Sequence, residues 1–378
     1  MKQSISLFLI IVLIFFSCGK EKKDSVIPAS KEYKVIGYIA GWKGVDPERI
    51  QADKLTHINY AFANVIDGVV IEGEGRAEQD KENITKLRSL KSINPDLKIL
   101  ISIGGWTWSK GFSDAVLTEE SRKKFTESAI DYLIRHQLDG LDFDWEYPGY
   151  PGDDNPYRVE DRENFVLMLK SVREALDSLG KVNNTYYLST IATGGFKEYV
   201  DVNDLGEAQK YLDFINIMTY DFTGVFKPMT GHHTNLSTSE VGGRSAENAV
   251  IDHVAAGVPV EKLVMGIAFY GKAWKSVNPK DNGLSQPATG WRNFPYREIE
   301  LFLEDDNYAK KWDSLSNASY LWNERDSIFV TYESPASIHE KIAFIKNKGM
   351  GGVMFWEYHE DSDSRTLLNA IHDEINNP

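Results

Sequence analysis

The 378-residue chain has one cysteine, Cys18. That excludes an intramolecular disulfide and any cysteine-based metal site. Positive charge is scarce as well. Against 56 Asp and Glu stand 42 Lys and Arg, a net charge of −14. A nucleic-acid backbone needs a basic partner surface, so nucleic acid is excluded as a partner. No second transmembrane run follows the N-terminal one, and there is no internal repeat or low-complexity tract. No motif calls for a cofactor. What the chain has in quantity is apolar and aromatic matter: 42% hydrophobic residues, ample for a large core, with 9 Trp and 18 Tyr. Flat aromatic faces suit the C–H faces of sugars, although they also serve as ordinary core.

The N-terminus reads as an export signal. Lys2 supplies a positive start, and Ile5 to Phe16 is an apolar run too short to span a bilayer comfortably. It ends at Phe15-Phe16-Ser17-Cys18, which resembles a bacterial lipobox. That resemblance implies that residues 1–18 form a lipoprotein signal ending at a lipidated Cys18, that 19–33 is a tether, and that the protein is held at a membrane of the bacterial envelope. Both the periplasmic and the outward-facing side stay open. The alternative is a conventional signal peptide with an incidental cysteine.

Beyond the tether, short apolar runs recur: Val35 to Tyr38, Leu55 to Phe62, Leu97 to Ile103, Gly140 to Trp145, Tyr187 to Ile191, Phe214 to Met218, Leu263 to Phe269 and Gly352 to Phe355. Amphipathic stretches such as Lys81 to Ser92, Glu119 to His136 and Val159 to Leu179 lie between several of them. Strand–helix alternation implies a parallel sheet, and eight strands imply a closed (β/α)8 TIM barrel over 34–378. The alternation lapses from about Trp274 to Tyr332. An unstructured loop that long is improbable, so a small inserted α+β subdomain is expected at about 274–335, between the seventh and eighth strands.

Within the fourth strand, Asp142, Asp144 and Glu146 alternate with Leu141, Phe143 and Trp145. Period-two alternation puts the three carboxylates on one face and the apolar groups on the other. Like charges that close coexist only if some hold protons or the fold uses them. An edge strand that resists aggregation and a Ca²⁺ or Mg²⁺ site are the competing readings. The first fits poorly with Leu141, Phe143 and Trp145. The second needs ligands from other strands, and none is identifiable. Acid–base work on a neutral, oxygen-rich substrate remains the leading one.

Other strand ends are also polar or aromatic: Ser102-Ile103-Gly104-Gly105-Trp106 on the third, Met218-Thr219-Tyr220-Asp221 on the sixth and Trp356-Glu357 on the eighth. In a (β/α)8 barrel, active sites gather at these ends. Together the segments resemble glycoside hydrolase family 18, the chitinase family. Asp139, Asp142, Asp144 and Glu146 match its DxxDxDxE signature, Ser102 to Gly105 its SxGG motif, and Met218, Tyr220 and Asp221 its MxYD motif. Trp356 matches the Trp of its last strand, Gly266 to Gly271 resembles its seventh strand, and the segment after it resembles the chitinase insertion domain.

The resemblance implies retaining hydrolysis assisted by the substrate's own acetamido group, an exception to the two-carboxylate scheme. Glu146 would be the general acid and later the base. Asp144 would bond the acetamido N–H, Asp142 would share a proton with Asp144, and Tyr220 would orient the acetamido oxygen. Asp144 and Asp142 are expected to raise the Glu146 pKa by charge. Substrate-binding positions would be Tyr38, Phe62, Gly105, Trp106, Tyr147, Met218, Asp221 and Trp356. Asp139 is expected to bond backbone at the strand start, and Ser102 to bond Asp142. Lys272 stands where relatives often have Arg, and Glu333 where Asp is usual. The implied substrate is chitin or N-acetylglucosamine oligosaccharide, cut by a monomer. An endo-β-N-acetylglucosaminidase acting on glycoprotein glycans ranks second, because such enzymes commonly lack the insertion. An inactive lectin ranks third, because Glu146 is present.

Overall fold

The computed structural model describes residues 32–238, 240 and 242–377. The signal segment, Cys18 and nearly all of the tether lie outside the described residues. Among those described, fourteen strands occur: β1 Lys34–Ala40, β2 His57–Ile66, β3 Val69–Ile71, β4 Lys98–Gly104, β5 Gly140–Asp144, β6 Leu188–Gly194, β7 Phe214–Met218, β8 Leu263–Ala268, β9 Tyr270–Lys275, β10 Thr289–Pro295, β11 Ala309–Asp313, β12 Ala318–Asn323, β13 Ile328–Tyr332 and β14 Gly352–Trp356. Eight of them pair in parallel in the order β1-β14-β8-β7-β6-β5-β4-β2, and β2 returns to β1. This is the closed (β/α)8 barrel that the alternating pattern predicts.

The alternation within each strand sorts the two faces. Ile99, Ile101, Ile103, Leu141, Phe143, Ile215 and Ile217 pack outward in one cluster with helix residues such as Phe125, Phe165, Leu169 and Val172. Each fully buried side chain of that size contributes roughly 1.5–3 kcal/mol. The barrel interior holds a smaller cluster that includes Ile36, Tyr38, Phe214, Val264 and Met354. Polar Ser102, Asp142, Thr190 and Asn216 are fully buried as well.

The helices start where the sequence supplies caps. The helix Glu119–His136 opens on a Thr118–Ser121 capping box, and Pro335–Lys348 on a Ser334–Ser337 box with Pro335 in its first turn. Several strand ends shift from the predicted ones; β2, for example, runs from His57 to Ile66 and not from Leu55 to Phe62, and two differences bear on the site. β6 runs to Gly194, beyond Ile191, because pairing with β7 continues to Gly194 opposite Met218 after the apolar run has ended. The stretch after β8 turns into a five-stranded antiparallel sheet, β10-β9-β13-β12-β11, flanked by the helix Tyr296–Glu304. That sheet begins at Tyr270, four residues before the predicted boundary. The apolar run there is shared between β8 and β9, so hydrophobicity does not mark where the barrel is left. No helix among the described residues is long and apolar enough to cross a membrane.

Candidate active site

β5 ends at the mouth of the barrel and carries the acids outward along its inner face. Asp142 is fully buried, Asp144 is 4% exposed and Glu146 is 8% exposed. Their neighbours face the other way: Trp145 stacks on Phe112 at 5.2 Å and meets Phe165 edge-on at 5.8 Å. Burying those rings fixes the register and so fixes which face the carboxylates take. Asp139 closes the lower end. Its Oδ2 accepts the Ile99 N–H at 2.7 Å, and both oxygens take the Lys91 ammonium at 2.7 Å, the backbone anchoring expected of it.

Asp142 sits under a full set of donors. Tyr38 Oη and Ser102 Oγ donate to Oδ2 at 2.8 Å each. Thr190 Oγ1 at 2.6 Å and Asn216 Nδ2 at 3.3 Å donate to Oδ1. Burial pushes its carboxyl up, and these four bonds oppose the shift. Asp142 and Asp144 act on each other by charge. Asp144 is raised well above the carboxylate range, by burial first and then by the Glu146 and Asp142 charges. Its Oδ1 is sealed from solvent and has no partner among the described residues.

Glu146 follows the strand, and its backbone is pinned on both sides. Its N–H donates to Ser109 Oγ at 2.9 Å, and Asn155 Nδ2 donates to its carbonyl at 2.5 Å. Its carboxyl is raised to about 7. The first cause is burial. The Tyr147 phenol against the carboxylate opposes the shift, and the Asp221 charge adds to it. Asp144, one of the expected sources, repels the same charge, because the Glu146 charge that raises Asp144 acts equally in the other direction. Asp221 has φ 59°, a left-handed conformation in which it reaches over the cavity. There Tyr270 Oη donates to its Oδ1 at 2.7 Å, and the Lys272 ammonium pairs with the same oxygen at 2.6 Å.

These groups open into a cavity of about 550 Å³ lined by Tyr38, Phe62, Trp106, Asp144, Glu146, Met218, Tyr220, Asp221 and Trp356 together with residues of other loops. Trp356 stacks on Phe62 at 5.5 Å and 16° and lies tilted against Tyr38 at 5.9 Å. The Tyr220 hydroxyl reaches only the Met354 sulfur, at 3.9 Å, among the described residues. Residues 34–361 match the family model "Glycosyl hydrolases family 18".

The chain belongs to glycosyl hydrolases family 18. It is similar to Chitinase A1 of Niallia circulans, 34% identical over 92% of this chain and 59% of that protein. It is likewise similar to Endochitinase 1 of Metarhizium robertsii, 32% identical over 90% of this chain and 85% of that one. Among solved structures, it resembles chitinase ChiA74 from Bacillus thuringiensis (TM-score 0.87, 30% identity, covering 91% of this chain and 70% of that one). It also resembles a family 18 N-acetylglucosaminidase from Paenibacillus barengoltzii (TM-score 0.83, 38% identity, 91% and 100%). The chain thus spans less than two thirds of Chitinase A1.

Two of the expected substrate-binding positions stand outside the cavity of this family 18 site. Gly105, at φ +80°, lets Phe62 approach: a Cβ there would lie 2.6 Å from the Phe62 ring. Its N–H donates to the Asp144 carbonyl at 2.7 Å. Tyr147 backs Glu146 and packs edge-on against Trp106, Phe196 and Tyr199. The pattern of motifs missed Trp42, Arg76, Trp108, Tyr270 and Met354 in the lining, and Thr190, Asn216 and Ser109 behind it. Asn216 carried a readable signal, since it is the one polar residue of the apolar strand Phe214–Met218, whereas Thr190 lies between Ser189 and Thr193 in a strand of mixed polarity.

Proposed function

We propose that the barrel cuts β-1,4 bonds between N-acetylglucosamine units with retention, the nucleophile being the acetamido oxygen of the reacting sugar. The observation that carries this reading is the pairing of Glu146, a buried acid near pH 7, with the unpartnered Oδ1 of Asp144 in one aromatic-walled cavity. Glu146 is protonated often enough at neutral pH to give its proton to the glycosidic oxygen. As that bond breaks, the acetamido carbonyl oxygen closes on the anomeric carbon and an oxazolinium ion forms. Asp144 accepts the acetamido N–H and balances the positive charge. The Tyr220 hydroxyl donates to the carbonyl oxygen and aims it. Glu146, now a carboxylate, takes a proton from the incoming water, which reopens the ring at the same face. Trp356, Phe62 and Tyr38 supply apolar walls for the sugar's C–H face.

The test is to incubate the protein with N-acetylchitohexaose and follow the products by mass spectrometry. Shorter oligomers are expected. No products, from a folded protein that binds the hexamer, would sink the reading. Product lengths also separate internal cleavage from release of single sugars, the behaviour that the name of the Paenibacillus barengoltzii relative suggests. Glu146→Gln should lose turnover by about a thousandfold or more while still binding the hexamer, because the amide keeps the shape without the proton. A variant that kept most of the activity would reassign the acid.

We also propose that Cys18 is lipidated and tethers the barrel at a bacterial envelope membrane, on the strength of Phe15 to Cys18. Cys18→Ser should move the protein from the membrane fraction to the soluble fraction. Unchanged partitioning would remove the anchor.

A further inference from the structure

One basic side chain in the cavity has no assigned task. Arg76 lies at the start of the helix Ala77–Ser89 and lines the cavity. Its guanidinium sits 4.8 Å from the Trp108 ring centroid and 6.0 Å from that of Trp42. A Cβ on Gly73 would overlap it, so the chain has made room for it there. Gly73 is itself held by its N–H to the buried carboxylate of Asp80 at 2.9 Å. Yet the guanidinium makes no hydrogen bond or ion pair with any described residue, and Nη2 is shut off from solvent without an acceptor. Nη2 is the edge packed on Gly73, so it is the remaining N–H groups of the guanidinium, stacked between two indole faces, that are left to meet a ligand in the cavity.

The Arg76 charge is not among those that shift Asp144 or Glu146. From Trp356 the contacts run to Trp42 at 6.2 Å and only then to Arg76. Trp42 is 48% exposed, so this end of the cavity opens outward. A sugar beside Arg76 would pack against Trp42 and Trp108. A guanidinium stays charged at all working pH values, and its planar fork of N–H donors fits a carbonyl oxygen. An acetamido group offers such an oxygen. A deacetylated sugar offers an ammonium instead, and two like charges would meet between apolar walls, where repulsion is little screened.

We propose that Arg76 is a specificity-determining residue that accepts N-acetylglucosamine and rejects protonated glucosamine at a binding position distant from the cleaved bond. The proposal rests on the chitin-cleaving reading above.

The test uses the protein and its Arg76→Met variant on N-acetylchitohexaose and on half-deacetylated chitosan. On the hexamer the variant should raise KM about tenfold with kcat within about twofold, as loss of one charge-assisted contact away from the chemistry would. On chitosan, products of the parent protein should show a strong excess of acetylated sugar at one fixed position from the new reducing end. In the variant that excess should fall toward the composition of the polymer. Arg76→Lys should keep the exclusion of glucosamine while losing part of the affinity for the hexamer, and it serves as the readout should Arg76→Met not fold. Unchanged KM and unchanged product sequence in a folded variant would overturn the proposal. Failure of the parent protein to cut the hexamer is a different result and would strike the chitin reading itself.

Discussion

A single carboxyl sets the pH range in which this site can work. In the proposed reaction Glu146 must hold a proton to act, and its carboxyl is raised to about 7 by burial first, with the Asp221 and Asp144 charges adding to it. The acid form is present below that value and is lost as pH rises through it. The kcat/KM profile should therefore fall on its alkaline side near pH 7. Asp221→Asn removes a negative neighbour, so the Glu146 carboxyl should drop and the alkaline limb should move to lower pH. Its Oδ1 also holds Tyr270 and Lys272, so the same substitution releases a cation that the Asp221 charge had balanced, which pushes the limb in the same direction. A pH–rate series on a soluble oligomer measures both limbs. A limb that stays in place in Asp221→Asn would mean that burial and the Asp144 charge set the acid without Asp221. Residue by residue, the acids were legible in the sequence because period-two alternation with Leu141, Phe143 and Trp145 leaves little else for them to do. The part that Asp221 adds to the Glu146 shift was not legible. It comes from a residue 75 positions away that lines the cavity in a left-handed backbone conformation.

At the scale of elements, the site leans on a buried ion pair that joins three segments. Lys341, on the helix Pro335–Lys348, pairs with Glu333 at the end of β13 at 2.6 Å, and both side chains are fully buried. Thr234 Oγ1 donates to Glu333 Oε2 at 3.0 Å, accepts from Lys341 at 2.8 Å and reaches the carbonyl of Thr219, next to Tyr220. Removing one partner strands a buried charge, so Lys341→Met should cost about 3–5 kcal/mol in a denaturant unfolding experiment. Removing both, as Lys341→Met with Glu333→Gln, should recover most of that loss. Equal losses in the single and double variants would show that packing, and not charge, is what Lys341 supplies. The strands and the longer helices were readable from periodicity, and Glu119–His136 matches its predicted span. The point at which β9 leaves the barrel was hidden, because β8 and β9 form one apolar run and only the change of pairing partner divides them. Arg76 was hidden too, since nothing near it in sequence distinguishes a cavity arginine from a surface one.

The whole molecule carries net charge −14, and that bears on how it would treat the deacetylated form of the proposed substrate. Chitosan is a polycation below neutral pH, so long-range attraction draws it to this surface at low ionic strength. Attraction does not make it a substrate. On the proposed mechanism, a reacting sugar with no acetyl group has no internal nucleophile; Asp142 is closed in by four donors, and Asp144 is assigned to the acetamido nitrogen. Fully deacetylated chitosan should accordingly inhibit cleavage of N-acetylchitohexaose while remaining uncut. The inhibition should weaken as salt shortens the reach of the charges, from a Debye length of about 10 Å at 0.1 M to about 3 Å at 1 M. Inhibition constants across a salt series, with mass spectrometry of the polymer, give both readouts. Cleavage of the fully deacetylated polymer would show that a protein group attacks the anomeric carbon, and Asp144 would then have to be reconsidered as a nucleophile.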